Sequence, residues 1–155
     1  MTNHKTVVFL LFIMVIIAGC CKLCTCIDEQ QYEDSLYFRF ELDSLNGGYT
    51  RQDIDTSYIV RYKKDSLNRP IDTTQIELIG TNFRFGESFT AFGNYDYSIE
   101  VPKLNKKYYV TNILVNGQVV EDKCCQCYQN NLKTFRLDSV EKDQSGSRSP
   151  IYLKK

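Results

Sequence analysis

The chain has 155 residues, with 19 basic and 19 acidic side chains and no net charge, so it lacks the basic face that nucleic acid demands. Its one histidine, His4, is the fourth residue, and tryptophan is absent. Everything after His4 is therefore without Ser-His-Asp or Cys-His catalysis, His-ligated metals or a proton shuttle near neutral pH, and eleven tyrosines are the available sugar-stacking groups.

Met1 to Lys5 form a short polar start, and an unbroken apolar run follows from Val7 to Ala18. These have the form of the n-region and h-region of a secretory signal. The run ends at Gly19, Cys20, Cys21 and Lys22, short of the roughly 20 apolar residues that cross a bilayer as a helix. Ile17-Ala18-Gly19-Cys20 resembles the lipobox of bacterial lipoproteins, in which an aliphatic residue and two small residues precede the cysteine that is alkylated. The resemblance implies removal of residues 1–19 and two or three acyl chains at Cys20, enough for stable attachment to a membrane. Cys21, rather than Asp, follows the lipidated position, which by the same resemblance favours the outer membrane and leaves its periplasmic and surface faces open. The alternative is an ordinary secretory signal with Cys20 as a half-cystine.

Without the leader, 136 residues remain, one domain's worth. Residues 20–34 are cysteine-rich, then polar and acidic, and form the expected tether; residues 35–155 form the expected folded domain. Ser35 to Leu42 alternates, with Leu36, Phe38, Phe40 and Leu42 on one face, the pattern of a half-buried strand. Asn46-Gly47-Gly48 supplies a turn. Tyr58 to Lys63, Gln75 to Ile79, Asn82 to Phe85 and Ser88 to Phe92 are further expected strands, with Gly80 marking a bend. Tyr95 to Val101 is the cleanest, placing Tyr95, Tyr97, Ile99 and Val101 inward and Asp96, Ser98 and Glu100 outward.

Tyr108 to Val115 and Gln118 to Asp122 flank Asn116-Gly117, a pair that fits the two left-handed positions of a type I′ hairpin turn. Thr134 to Val140 and Ile151 to Leu153 complete the strands, with a polar loop between them. No stretch beyond the leader holds a 3.6-residue apolar period. Many short strands at spacings of about 8 to 12 residues predict an all-β domain, a two-layer antiparallel immunoglobulin-like sandwich, with an open β-barrel as the alternative. The layout is similar to that of small bacterial lipoproteins built on such sandwiches.

Six cysteines remain after Cys20, in two triplets: Cys21, Cys24, Cys26 and Cys124, Cys125, Cys127. An even number in an oxidising compartment predicts disulfides, and extended backbone would put Cys24 with Cys26, and Cys125 with Cys127, on shared faces. Six cysteines allow 15 pairings and spacing does not choose among them. The alternative is a metal site, since Cys21, Cys24, Cys124 and Cys127 make two C-x-x-C knuckles of the kind that bind Zn²⁺; redox-active thiols are a third use.

Other groupings have ordinary explanations beside functional ones. Tyr95, Tyr97, Tyr108 and Tyr109 suit core packing better than a ligand platform. Asp96 and Glu100 would be solvated residues completing an alternation rather than a glycosidase pair. Asp53, Asp55 and Asp65 lack calcium-loop spacing, and Lys103, Lys106 and Lys107 form a basic turn. The expected whole is a non-enzymatic envelope lipoprotein without a cofactor, held to the membrane by lipid and binding an envelope protein or glycan.

Overall fold

The computed structural model describes residues 34–43, 46–86, 92–122 and 125–155, excepting the side chains of residues 121, 122 and 125–127. Among the described residues nine strands follow in chain order: β1 (Leu36–Phe40), β2 (Tyr58–Lys63), β3 (Pro70–Gln75), β4 (Asn82–Phe85), β5 (Tyr95–Val101), β6 (Lys106–Asp122), β7 (Cys125–Leu137), β8 (Val140–Asp143) and β9 (Ile151–Leu153). One helical turn, α1 (Arg51–Ile54), precedes β2, and short 3₁₀ turns flank β5. The expected all-β sandwich-like fold with open, antiparallel sheets is observed, β1 and β9 being the one parallel pair among the described residues.

One sheet has the order β4-β1-β9 and the other β3-β2-β5-β6-β7-β8. Alternation along β1 turns Leu36, Phe38 and Phe40 to the interior, all fully buried. Phe38 stacks on Phe83 and Phe85 of β4, each at 5.6 Å, and meets Phe135 of β7 edge-on at 5.7 Å, so one ring ties both layers. Phe85 reaches Tyr97 of β5 at 5.1 Å. Burying each such ring contributes about 1.5–3 kcal/mol, which makes this aromatic seam the main source of cohesion between the layers.

Three strand assignments need correction. Asn116-Gly117 is not a turn: β6 runs through it unbroken, with a bulge in the pairing to β7 at that point. A Cβ at Gly117 would overlap the Tyr128 ring and the Gln129 carbonyl, so glycine is there to admit a neighbouring side chain, not to reverse the chain. The tight hairpin lies later, where Asp138 and Ser139 take φ of 49° and 71° between the paired residues Leu137 and Val140. Those are the two left-handed positions of a type I′ turn, which aspartate tolerates. Here its Oδ1 also accepts the Tyr109 amide at 2.8 Å, and the turn splits the expected Thr134–Val140 strand between β7 and β8.

The third concerns β3. It occupies Pro70–Gln75 rather than Gln75–Ile79, and all six of its residues are exposed. A strand exposed on both faces carries no alternation of polar and apolar residues, so the pattern passed over it. Of the expected Ser88–Phe92 strand, residues 88–91 lie outside the described residues and Phe92 sits in a 3₁₀ turn.

Candidate functional site

The outer face of the six-stranded sheet holds an unexpected polar layer. Since Tyr97, Ile99 and Val101 enter the core, alternation puts Asp96, Ser98 and Glu100 on the opposite face. They are not solvated there, as the sequence led one to expect: their exposures are 3%, 0% and 8%. In the strand register Tyr58 lies beside Glu100 and Tyr62 beside Asp96, both on β2, while Lys107 and Tyr109 of β6 lie beside Glu100 and Ser98.

These neighbours converge on β5. Tyr58 donates its hydroxyl to Glu100 Oε2 at 3.0 Å, Lys107 Nζ donates to Oε1 at 2.8 Å and Ser98 Oγ to the same oxygen at 3.0 Å. Because the Ser98 proton is used, Tyr62 donates to Ser98 Oγ at 3.3 Å. Burial opposes ionisation of Glu100, but the hydrogen bonds from Lys107, Ser98 and Tyr58 outweigh it and hold the carboxyl below its usual range. The same bonds push the Tyr58 hydroxyl and the Lys107 ammonium up. Asp96 Oδ2 accepts the Asp65 amide at 2.7 Å, while Oδ1 is buried with no hydrogen-bond partner among the described residues.

A second polar cluster seats the start of the domain. Asp34, buried at 6% exposure, accepts the Tyr128 hydroxyl at both oxygens (3.1 and 3.0 Å) and Asn130 Nδ2 at 2.7 Å. Lys133, exposed by 1%, donates to the Ser35 carbonyl at 3.1 Å and lies 5.3 Å from the centre of the Tyr37 ring. Gln144 accepts the Tyr37 amide at 3.2 Å and donates to the Tyr37 carbonyl at 2.8 Å. Residues 34–37 are thus held by β7 and the segment after β8.

No family model, curated protein or solved structure matches the chain. Cys20, the expected lipid site, and Cys21, Cys24, Cys26 and Cys124 lie outside the described residues. Cys125 and Cys127 lie on β7, opposite Asp122 and Val120 in the register, with their side chains undescribed. Among the described residues no group of three or more His, Cys, Asp or Glu side chains is placed to hold a metal ion, and no helix is long and apolar enough to cross a membrane.

The remaining groupings are taken apart by the fold. Tyr97 and Tyr108 pack in the core, Tyr95 lies partly buried under Arg61 at 4.8 Å, and Tyr109 stands on the outer face at 38% exposure. Asp53 caps α1 through Thr50 and meets Lys155, Asp55 pairs with Lys103 at 2.9 Å, and Asp65 lends only its amide to Asp96, so the three do not converge. The basic turn is dispersed as well, Lys103 going to Asp55, Lys107 to Glu100 and Lys106 to the Tyr108 ring at 5.2 Å. Sequence reasoning missed Tyr58 and Tyr62, whose importance comes from the strand beside them.

Proposed function

We propose that the chain is a non-enzymatic lipoprotein of the cell envelope, attached to the outer membrane through Cys20, whose sandwich serves as a binding or accessory module for an envelope protein or glycan. In this reading the cysteine triplets form structural disulfides that staple the tether to the domain. One observation carries it: Asp34, the last residue of the tether, is bonded to Tyr128, the immediate neighbour of Cys127. Cys26 is eight residues before Asp34, a span of at most about 28 Å, so both triplets are within reach of one end of the domain. A bridge between them closes a loop of about 100 residues and stabilises by up to about 4.7 kcal/mol in the chain-entropy model.

The polar face supports binding rather than hydrolysis. Asp96 and Glu100 are four residues apart on one strand, about 13 Å between Cα atoms, whereas the carboxyl groups of a retaining glycosidase stand about 5–5.5 Å apart. Glu100 already accepts three donors, which suits a rigid recognition surface better than a proton-transferring group.

The test is mass spectrometry of the processed amino terminus, with a thiol and metal count on protein exported from the cytoplasm. An acylated Cys20, no free thiols and no metal support the reading. An unmodified Cys20 or a retained leader overturns the anchor, and zinc held by Cys21, Cys24, Cys124 and Cys127 replaces the staple with a metal site. For the binding face, retention of an envelope protein or glycan should fall in Lys107→Ala and Tyr109→Ala variants; retention equal to wild type moves the contact elsewhere.

A further inference from the structure

The chain contains two Asn-Gly pairs, Asn46-Gly47 and Asn116-Gly117. Such a pair carries a reaction of its own. The backbone nitrogen of the glycine attacks the side-chain carbonyl carbon of the asparagine, and because glycine has no Cβ nothing crowds its approach. The new C–N bond closes a succinimide ring, the bond to Nδ2 breaks, and that nitrogen leaves as ammonia with the proton given up by the glycine amide. Water then opens the ring at either carbonyl, giving aspartate or isoaspartate. Closure is favoured by a glycine amide without a hydrogen-bond partner and by room for it to swing onto the preceding side chain.

The fold treats the two pairs differently. Asn116 and Gly117 lie inside β6, in register with Leu132 and Asn130 of β7. The Tyr128 ring and the Gln129 carbonyl fill the space beside Gly117, so its peptide cannot rotate without opening the ladder and displacing the ring. Asn46 and Gly47 are exposed, in the turn between β1 and α1. Gly47 has a φ of 81° and open space where a Cβ would stand, and its amide donates to no group among the described residues. The Asn46 side chain is held by Asp43, whose Oδ2 accepts Nδ2 at 2.6 Å. That bond is exposed, and water replaces it at little cost.

We propose that Asn46 is a site of spontaneous deamidation and isomerisation in the folded protein, and that Asn116, with the same sequence signature, is protected by its strand. The product alters the turn. Aspartate at position 46 sets a second carboxylate against that of Asp43. Isoaspartate adds a methylene carbon to the main chain ahead of Gly48 and Tyr49, whose amides donate to the carbonyls of Asp43 and Glu41. Tyr49 is buried, with its ring 5.3 Å from that of Phe40, so a change in an exposed turn reaches the core. The inference stands on backbone geometry and is independent of the lipid anchor and of the binding face.

The test incubates the full chain in detergent at mildly alkaline pH, folded in one arm and in denaturant in the other, and follows both asparagines by peptide mass mapping. In denaturant the two pairs convert at similar rates. In the folded protein Asn46 should convert at least about tenfold faster than Asn116, since the ladder must first open locally and about 1.4 kcal/mol of opening free energy is a factor of ten. Gly47→Ala, whose methyl crowds the nitrogen but meets no neighbour, should slow the reaction at Asn46 alone. Two results overturn the proposal, whether or not that variant folds: an Asn46 that persists in the folded chain while it is lost in denaturant, and an Asn116 that is lost from the folded chain as fast as Asn46.

Discussion

Three residues show how much a single side chain, or its absence, decides in this molecule. Gly117 leaves the space that the Tyr128 ring crosses on its way to Asp34. Gly117→Ala should cost about 1–3 kcal/mol, read as a lower denaturant midpoint with an unchanged slope, because added atoms in a filled site force the neighbours apart. Asp34→Ala leaves the Tyr128 hydroxyl and Asn130 amide without their acceptor. It should cost about 2 kcal/mol and speed proteolysis within residues 20–34. Glu100 is held ionised, so its contribution has a defined pH window. Its folded value lies below the ordinary 4.5, and the unfolded chain therefore binds the proton first. The stabilisation is complete above that value and is lost as pH falls through the lower, folded one. Glu100→Gln should flatten the acid limb of the stability–pH curve; an unchanged limb would show that other carboxylates, such as the low-lying Asp53 and Asp143, dominate it.

Among the elements, β1 and β5 were legible because one face of each lies against the core. Leu36, Phe38 and Phe40 alternate with polar neighbours, and that alternation survives in their burial. Strands without a covering layer were not: β3 is exposed throughout, and its residues give no periodic signal. Asn116-Gly117 misled for a different reason. The pair suits a type I′ turn, but it also suits a bulge with a close crossing, and only the partner strand distinguishes the two. The true turn, Asp138-Ser139, was passed over because Leu137 and Val140 continue the apolar run on either side of it. The last strand, β9, is three residues long and is held partly through the Tyr108 hydroxyl, which donates to the Lys154 carbonyl while accepting that of Tyr49. Burial keeps the Tyr108 hydroxyl protonated far above its ordinary range, so this link persists into alkali. Tyr108→Phe should therefore cost about 1 kcal/mol, with faster hydrogen exchange confined to β9 and its neighbours.

At the scale of the whole molecule, one aromatic seam joins both sheets, so the domain should unfold as a unit. Phe135→Ala and Leu153→Ala remove fully buried side chains from opposite layers, and each should cost about 2–5 kcal/mol while lowering the same single transition. Two separate transitions in either variant would mean that the layers are stable independently. By itself the sequence determined the class of fold, since a period of two with aromatic and β-branched residues leaves few ways to bury one face of each strand other than a second layer. It also determined which chemistry is missing, because no arrangement of the chain can supply a histidine beyond His4. The tertiary structure alone decided that Asp96, Ser98 and Glu100 form a buried network beneath tyrosines, that Asp34 is bonded to Tyr128 and Asn130 of β7, and that β3 is left as an edge strand. Each of these depends on which strand lies beside which and in what register, and that is set by contacts between residues far apart along the chain.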